Sequence, residues 1–273
     1  MKLAINEATC MKNSTLMEDL CLAEANGYDF IELRIDMLRD YLKTGSLGEL
    51  AEFFQTHHLK PAGFNSIEDI NFTTPEKWQV IEEDLRFVCE VKDAIGGDVL
   101  VVVPTMSDVK YSEEEVFNDS VTVLKRILSY TDKLNLKIAF EPIGSQNCCV
   151  RSLKEAHRIT KAVNHPNVGL IVDAFNLYLF DGWRDIDYLK NITPKEIFCY
   201  HIDDSDNLPL ELLGHAHRLF PGNGVIPLQA ISNQLKTIGY KGPCSLELFN
   251  PSYWQMNPRD VFKIGAEKTI DFL

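Results

Sequence analysis

The sequence predicts an α/β protein of the (β/α)8 TIM-barrel class, and three observations carry that prediction. Short β-prone runs alternate with helical segments along the chain, eight of each. Four of the runs end in a metal-competent side chain, Glu141, Asp173, His201 and Glu247. These four stand 32, 28 and 46 residues apart, and one strand with its return helix takes about 30 residues in such a barrel. Parallel strands at that period bring their C-terminal edges to one face, where barrels of this class build their active sites.

The elements follow in order. Leu3-Ala4-Ile5 reads as the first strand, with Asn6 and Glu7 at its edge. Ser14 is placed to cap a helix through Leu16, Leu20 and Ala23, with Glu18 and Asp19 in its early turns. Phe30 to Arg34 is the second strand. Leu47, Leu50, Ala51 and Phe54 recur at helical spacing. Pro61 to Asn65 is the third strand, assigned by its position in the rhythm. Pro75 opens a helix whose face is Trp78, Ile81, Leu85 and Val88, and Gly96-Gly97 ends it. Val99 to Pro104 is apolar on both faces, as a buried parallel strand should be.

A long helix from about Glu113 to Leu134 returns the chain to Lys137–Glu141, and Ser152 with Glu155 has the spacing of a capping box before the next helix. Val168–Asp173 and Ile197–His201 are the sixth and seventh strands. Leu228, Ile231 and Leu235 mark a helix that Gly239 closes, Cys244–Glu247 is the eighth strand, and Pro258 starts the last helix. One domain covering residues 1–273 is expected.

An imidazole and three carboxylates form a donor set for one divalent metal ion, Zn, Mn, Co or Mg. A single acidic strand end is commonplace, so it is the recurrence at strand edges that points to a site. The long segment after Asp173 carries Phe175, Tyr178, Phe180 and Trp183, which can wall a small-molecule pocket or pack a helix onto the barrel. Arg218 precedes the turn Pro221-Gly222-Asn223-Gly224 and can aim a planar charge at substrate oxygens. Asn6 and Asn65, at the edges of the first and third strands, are further candidate substrate contacts.

Bulk properties restrict the partners. Lys+Arg 27 against Asp+Glu 40 gives a net charge of −13, which repels a phosphate backbone and argues against nucleic acid. No run approaches 18 consecutive apolar residues, and the first residues lack the apolar core of a signal peptide, so a cytoplasmic protein without a membrane partner is expected. Seven scattered cysteines without a C-x-x-C pair fit reduced thiols; adjacent Cys148 and Cys149 are a candidate reactive pair.

The four strand ends, the phrase Tyr200-His201-Ile202-Asp203-Asp204, the Arg218…Pro221-Gly222-Asn223-Gly224 turn and Ser245-Leu246-Glu247-Leu248-Phe249 resemble the xylose-isomerase-like TIM-barrel superfamily of sugar isomerases and epimerases. Within it the resemblance is greatest to the inosose isomerase branch, which acts on 2-keto-myo-inositol in inositol catabolism, and it runs from Lys2 to the last helix. It implies that Glu141, Asp173, His201 and Glu247 bind the metal, and that Glu141 and Glu247 move a proton between adjacent carbons of a sugar or cyclic polyol through an enediolate. It also makes a homodimer an expectation. One departure stands out: where much of the superfamily has a histidine three residues after the strand-six aspartate, this chain has Asn176. Asparagine can hold a substrate oxygen but carries no proton near neutrality. A metal-dependent dehydratase of a cyclic polyol or dehydroshikimate-like acid is the alternative, and a sugar-binding barrel without catalysis is the alternative of another class. DNA repair, which the fold also supports, is disfavoured by the net charge.

Overall fold

A computed structural model of the protein describes residues 1–182 and 184–273. Eight parallel strands close into a barrel: β1 (Lys2–Asn6), β2 (Phe30–Arg34), β3 (Lys60–Ile67), β4 (Val99–Val102), β5 (Lys137–Phe140), β6 (Val168–Asp173), β7 (Ile197–Ile202) and β10 (Pro243–Leu246). The eighth closes on the first with Leu3 beside Cys244 and Ile5 beside Leu246. The predicted TIM barrel is therefore the observed fold, and all eight expected strands form.

The return helices are α1 (Leu16–Ala25), α3 (Leu47–Thr56), α4 (Pro75–Ile95), α5 (Glu113–Thr131), α6 (Leu153–Val163), α8 (Leu228–Ile238) and α9 (Pro258–Ile270), with α7 (Ala174–Asp181) packed directly after β6. A short helix α2 (Ile35–Tyr41) continues from β2 without a loop, where the sequence shows no break to announce it. Thr15, not Ser14, caps α1: its hydroxyl accepts from Glu18 N and the Glu18 carboxylate accepts from Thr15 N, while Ser14 donates to the Cys10 carbonyl. Thr15 makes the three-residue step to an acidic partner that a capping box needs, and Ser14 is one residue short of it.

Strand periodicity separates core from chemistry. Leu100 and Val102 point outward to the helices, whereas Val99, Val101, Ala139, Ile171 and Cys199 belong to an inner apolar cluster. Two residues beyond Ala139, Ile171, Cys199 and Ser245 come Glu141, Asp173, His201 and Glu247, so each polar group stands above an inward-facing residue of its own strand. In register, Asp173 is beside His201 and His201 is beside Ser245. Inside so narrow a barrel, side chains must be small in places: a Cβ at Gly63 would run into the Val99 carbonyl.

Beyond β7 the chain makes an excursion anchored by a two-stranded antiparallel hairpin, β8 (Asp204–Ser205) against β9 (Arg218–Leu219), with Ser205 opposite Arg218. Asp204 fastens this device. Its carboxylate accepts from the backbone N–H groups of Ser205, Gly222, Gly224 and Ile226 at 2.8–3.0 Å. Gly224 is required there, because a Cβ would collide with Ser205 and with the Asp204 carboxylate.

Replacing Asp204 by Ala is expected to lower stability by about 3 kcal/mol, since a charged acceptor and the pairing of several buried N–H groups are lost together. Urea unfolding of the parent and the variant would measure it, and a difference below about 1 kcal/mol would contradict the role given to Asp204.

Candidate metal centre and active site

The C-terminal edges of β5, β6, β7 and β10 bring Glu141, Asp173, His201 and Glu247 together, with one ligand-type atom from each lying within 4.8 Å of the others. His201 Nδ1 is 3.3 Å from Glu141 Oε1, 3.3 Å from Glu247 Oε2 and 3.7 Å from Asp173 Oδ2. Its other nitrogen, Nε2, lies 3.2 Å from the Glu32 carboxylate on β2. Glu32 therefore turns the ring so that Nδ1 faces the three carboxylates, the carboxylate–histidine arrangement that orients metal-binding imidazoles.

The remaining candidates gather around the same oxygens. Asn6 Nδ2 and Asn65 Nδ2 both donate to Glu247 Oε1, at 2.9 and 3.1 Å. Arg218 Nη1 donates to Asp173 Oδ2 at 2.8 Å, to Glu247 Oε2 at 2.9 Å and to Asp203. Its guanidinium lies over the rings of both Phe175 and Phe249, 5.1 and 5.5 Å from their centroids. Asn250 Nδ2 donates to the Arg218 carbonyl and fixes the backbone from which the side chain springs.

Asn176, in the family histidine's place, is turned inward: its backbone N–H donates to Asp173 Oδ1, its amide donates to Glu141 and its oxygen accepts from Gly144 N. Asp173 thus ends β6 and caps α7 with one oxygen while offering the other to the cluster. Of the expected aromatic wall, Phe175 packs on Arg218 and Phe180 lies over Arg151, while Trp183 lies outside the described residues. Cys149 donates to Asn71 and Cys148 to the Val150 carbonyl.

Reading from the sequence missed Glu32 and Asp203 as members of the cluster. The signal for Glu32 was a carboxylate inside the apolar run Phe30-Ile31-Glu32-Leu33, which a strand does not bury without a partner. Asp203 had none of its own beyond lying two residues after His201.

Electrostatics divide the cluster. Burial pushes the Glu141 carboxyl up to about 8, against the pull of His201, and burial likewise raises Asp203 in spite of Arg218. Burial acts the same way on Asp173 and Glu247, but it is outweighed by Arg218 and then His201 at Asp173, and by His201 and then Arg218 at Glu247, so both stay below the usual carboxylate range. Burial lowers the His201 imidazole, yet Glu247, Glu32 and Glu141 together hold it well above its ordinary value. Three carboxylates and an imidazole nitrogen suit a divalent cation of hard-to-borderline character, and two positive charges relieve the excess of acid.

Residues 20–271 match the family described as xylose isomerase-like TIM barrel. The chain belongs to this family. It is 37% identical over 270 residues to the inosose isomerase of Bacillus velezensis, covering 98% of this chain and 96% of that protein. A solved crystal structure of the IOLI protein with a binding zinc atom superposes with a TM-score of 0.96 at 37% identity, covering 100% of this chain and 98% of that one. More distant is a 3-dehydroshikimate dehydratase of Pseudomonas putida, 23% identical over 248 residues, which cover 90% of this chain but 38% of that protein. Among the described residues no helix is long and apolar enough to cross a membrane.

Two outcomes follow. Glu141, Asp203 and His201 hold protons more tightly folded than unfolded. Their stabilisation is complete below each group's ordinary pKa and is lost as pH rises through the raised one. Chelator-treated protein should therefore melt at a lower temperature at about pH 8.5 than at about pH 5.5, with added zinc raising the melting temperature most at the higher pH. Glu32→Gln should weaken zinc binding about 10- to 100-fold, read by competition with a chromophoric chelator; parent-like affinity would show that His201 needs no such partner.

Proposed function

We propose that the protein is a divalent-metal-dependent isomerase of a ketoinositol, 2-keto-myo-inositol, in inositol catabolism. The observation that carries this reading is the buried set Glu141, Asp173, His201 and Glu247 at the C-terminal mouth of the barrel, in a chain alike over nearly its whole length to inosose isomerases. The dehydratase reading has thinner support, because likeness to that enzyme is lower and spans a minor part of it.

Glu141, Asp173, His201 and Glu247 would hold the metal, for which zinc is the first candidate given the zinc in the related structure. When bound, such an ion polarises a ketone and its neighbouring hydroxyl and lowers the cost of an enediolate. The chain's own groups handle the protons. Glu247 is kept ionised by His201 and Arg218 and is oriented by Asn6 and Asn65, which suits it to take the proton from the carbon that bears the hydroxyl. Glu141, which stands across the His201 nitrogen from Glu247, would return a proton to the former carbonyl carbon while the hydroxyl proton passes to the former ketone oxygen, so that each carboxylate serves one of the two adjacent carbons. Asn176 keeps Glu141 and Asp173 in place, and Arg218 balances charge as oxygen anions develop.

Zinc-loaded protein in D₂O should exchange deuterium into the carbon beside the ketone and form a second ketoinositol, followed by proton NMR. Glu247→Gln should lower the rate about 10²- to 10⁴-fold with the fold retained. Turnover by Glu247→Gln at the parent rate would remove the acid–base assignment, and exchange without a new ketoinositol would move the substrate elsewhere.

A further inference from the structure

The polar side chains around Glu141 and Glu247 are engaged with one another. Asn6, Asn65, Asn176 and Arg218 are at most 4% exposed, and each donates to a carboxylate of the cluster. A polyol that reaches this floor must also meet the wall on the solvent side, and His215 stands there. It opens the short turn His215–His217, and its carbonyl accepts the backbone N–H of Arg218. Its imidazole is set edge-on to Phe249, with ring centroids 5.1 Å apart and planes at 70°. Phe249 in turn carries the Arg218 guanidinium. Glu247, Arg218, Phe249 and His215 thus form a series from the floor outward, and its last member is exposed.

We propose that His215 is a substrate-contacting residue whose imidazole meets a ring hydroxyl of the polyol at the mouth of the barrel while Glu141 and Glu247 act on the carbons beneath. A neutral imidazole has one donor and one acceptor nitrogen, the same pair that a hydroxyl presents, so the two can bond in either direction. The protein packed on its Phe249 side and then the nearby Arg218 guanidinium push its pKa down from the ordinary value, against the opposing pull of Glu247 and Asp173, while its outer edge stays open to solvent. An imidazolium here would put a second cation beside Arg218 and would offer donors alone. The identity of the polyol rests on the ketoinositol reading above; the ring's place at the mouth does not.

Two variants test it. His215→Phe keeps a ring against Phe249 and removes both nitrogens, and His215→Gln restores a donor and an acceptor without the ring. With zinc-loaded protein and 2-keto-myo-inositol, His215→Phe should raise KM about tenfold, the scale of one lost hydrogen bond, and His215→Gln should recover most of that loss. Zinc content and melting temperature should match the parent in both. An unchanged KM in His215→Phe overturns the proposal, as does a loss that tracks zinc content or melting temperature. A parent protein inert toward the ketoinositol would defeat the substrate reading instead, and proton NMR of the ring then decides. A midpoint below the ordinary 6.5 supports a ring held against Phe249 beside the Arg218 guanidinium, whereas one near 6.5 places it away from that cation and overturns the inference.

Discussion

Five carboxyl groups share the C-terminal end of this barrel with one guanidinium and one imidazole, and the arrangement of everything near them answers to that crowding. Glu32, Glu141, Asp173, Asp203 and Glu247 are each at most 3% exposed. Withdrawing such a charge from water costs several kcal/mol even after relaxation, so none can stand without a partner. Arg218 answers three of them through one nitrogen. His201 meets Glu32 through Nε2 and Glu141, Asp173 and Glu247 through Nδ1. Asp173 and Glu247 are thus met by both the guanidinium and the imidazole and stay below the usual carboxylate range. Glu141, met by His201 alone, and Asp203, met by Arg218 alone, are pushed up by burial instead. The division of the cluster is set by which carboxyls have both cations within reach and which have one.

Such a cluster holds its geometry only on a stiff support. Each strand supplies it by alternation: the residue that packs the barrel interior is followed, two positions on, by the one that carries charge. Ala139 precedes Glu141, Ile171 precedes Asp173, and Cys199 precedes His201. The apolar layer beneath keeps the strands from shifting by a residue, because a slip would send every charged group into the surrounding helices. Packing and reactivity are therefore two readings of one strand pattern.

The same pattern explains what could be read in advance. Strands with a regular period and abrupt polar ends announce themselves, and Glu141, Asp173, His201 and Glu247 lie where that period places them. Asn6 and Asn65 were legible as strand-edge amides, yet nothing in their spacing says that both turn to one oxygen of Glu247. Glu32 was hidden because its partner lies 169 residues away, and a lone carboxylate in a strand acquires meaning only when that partner is known. The hairpin β8–β9 was equally hidden, since strands of two residues carry no periodicity. What stayed illegible was the pairing of groups across the barrel, which depends on closure and not on local sequence.

The hairpin has one more implication. Both ends of the stretch from Asp206 to His217 are tied down, at one side by β8–β9 and the Asp206–His217 backbone bond, and beyond it by the Asp204 carboxylate. Lengthening a loop whose ends are already joined adds little entropic cost. Insertions, deletions and exchanges between those ends can accumulate in descendants of this chain while Arg218 keeps its seat among the acids. The barrel thereby separates a charged floor that must be inherited intact from a rim segment, His215 included, that decides which substrate is admitted, and a lineage could change its choice of polyol by rewriting a dozen residues there.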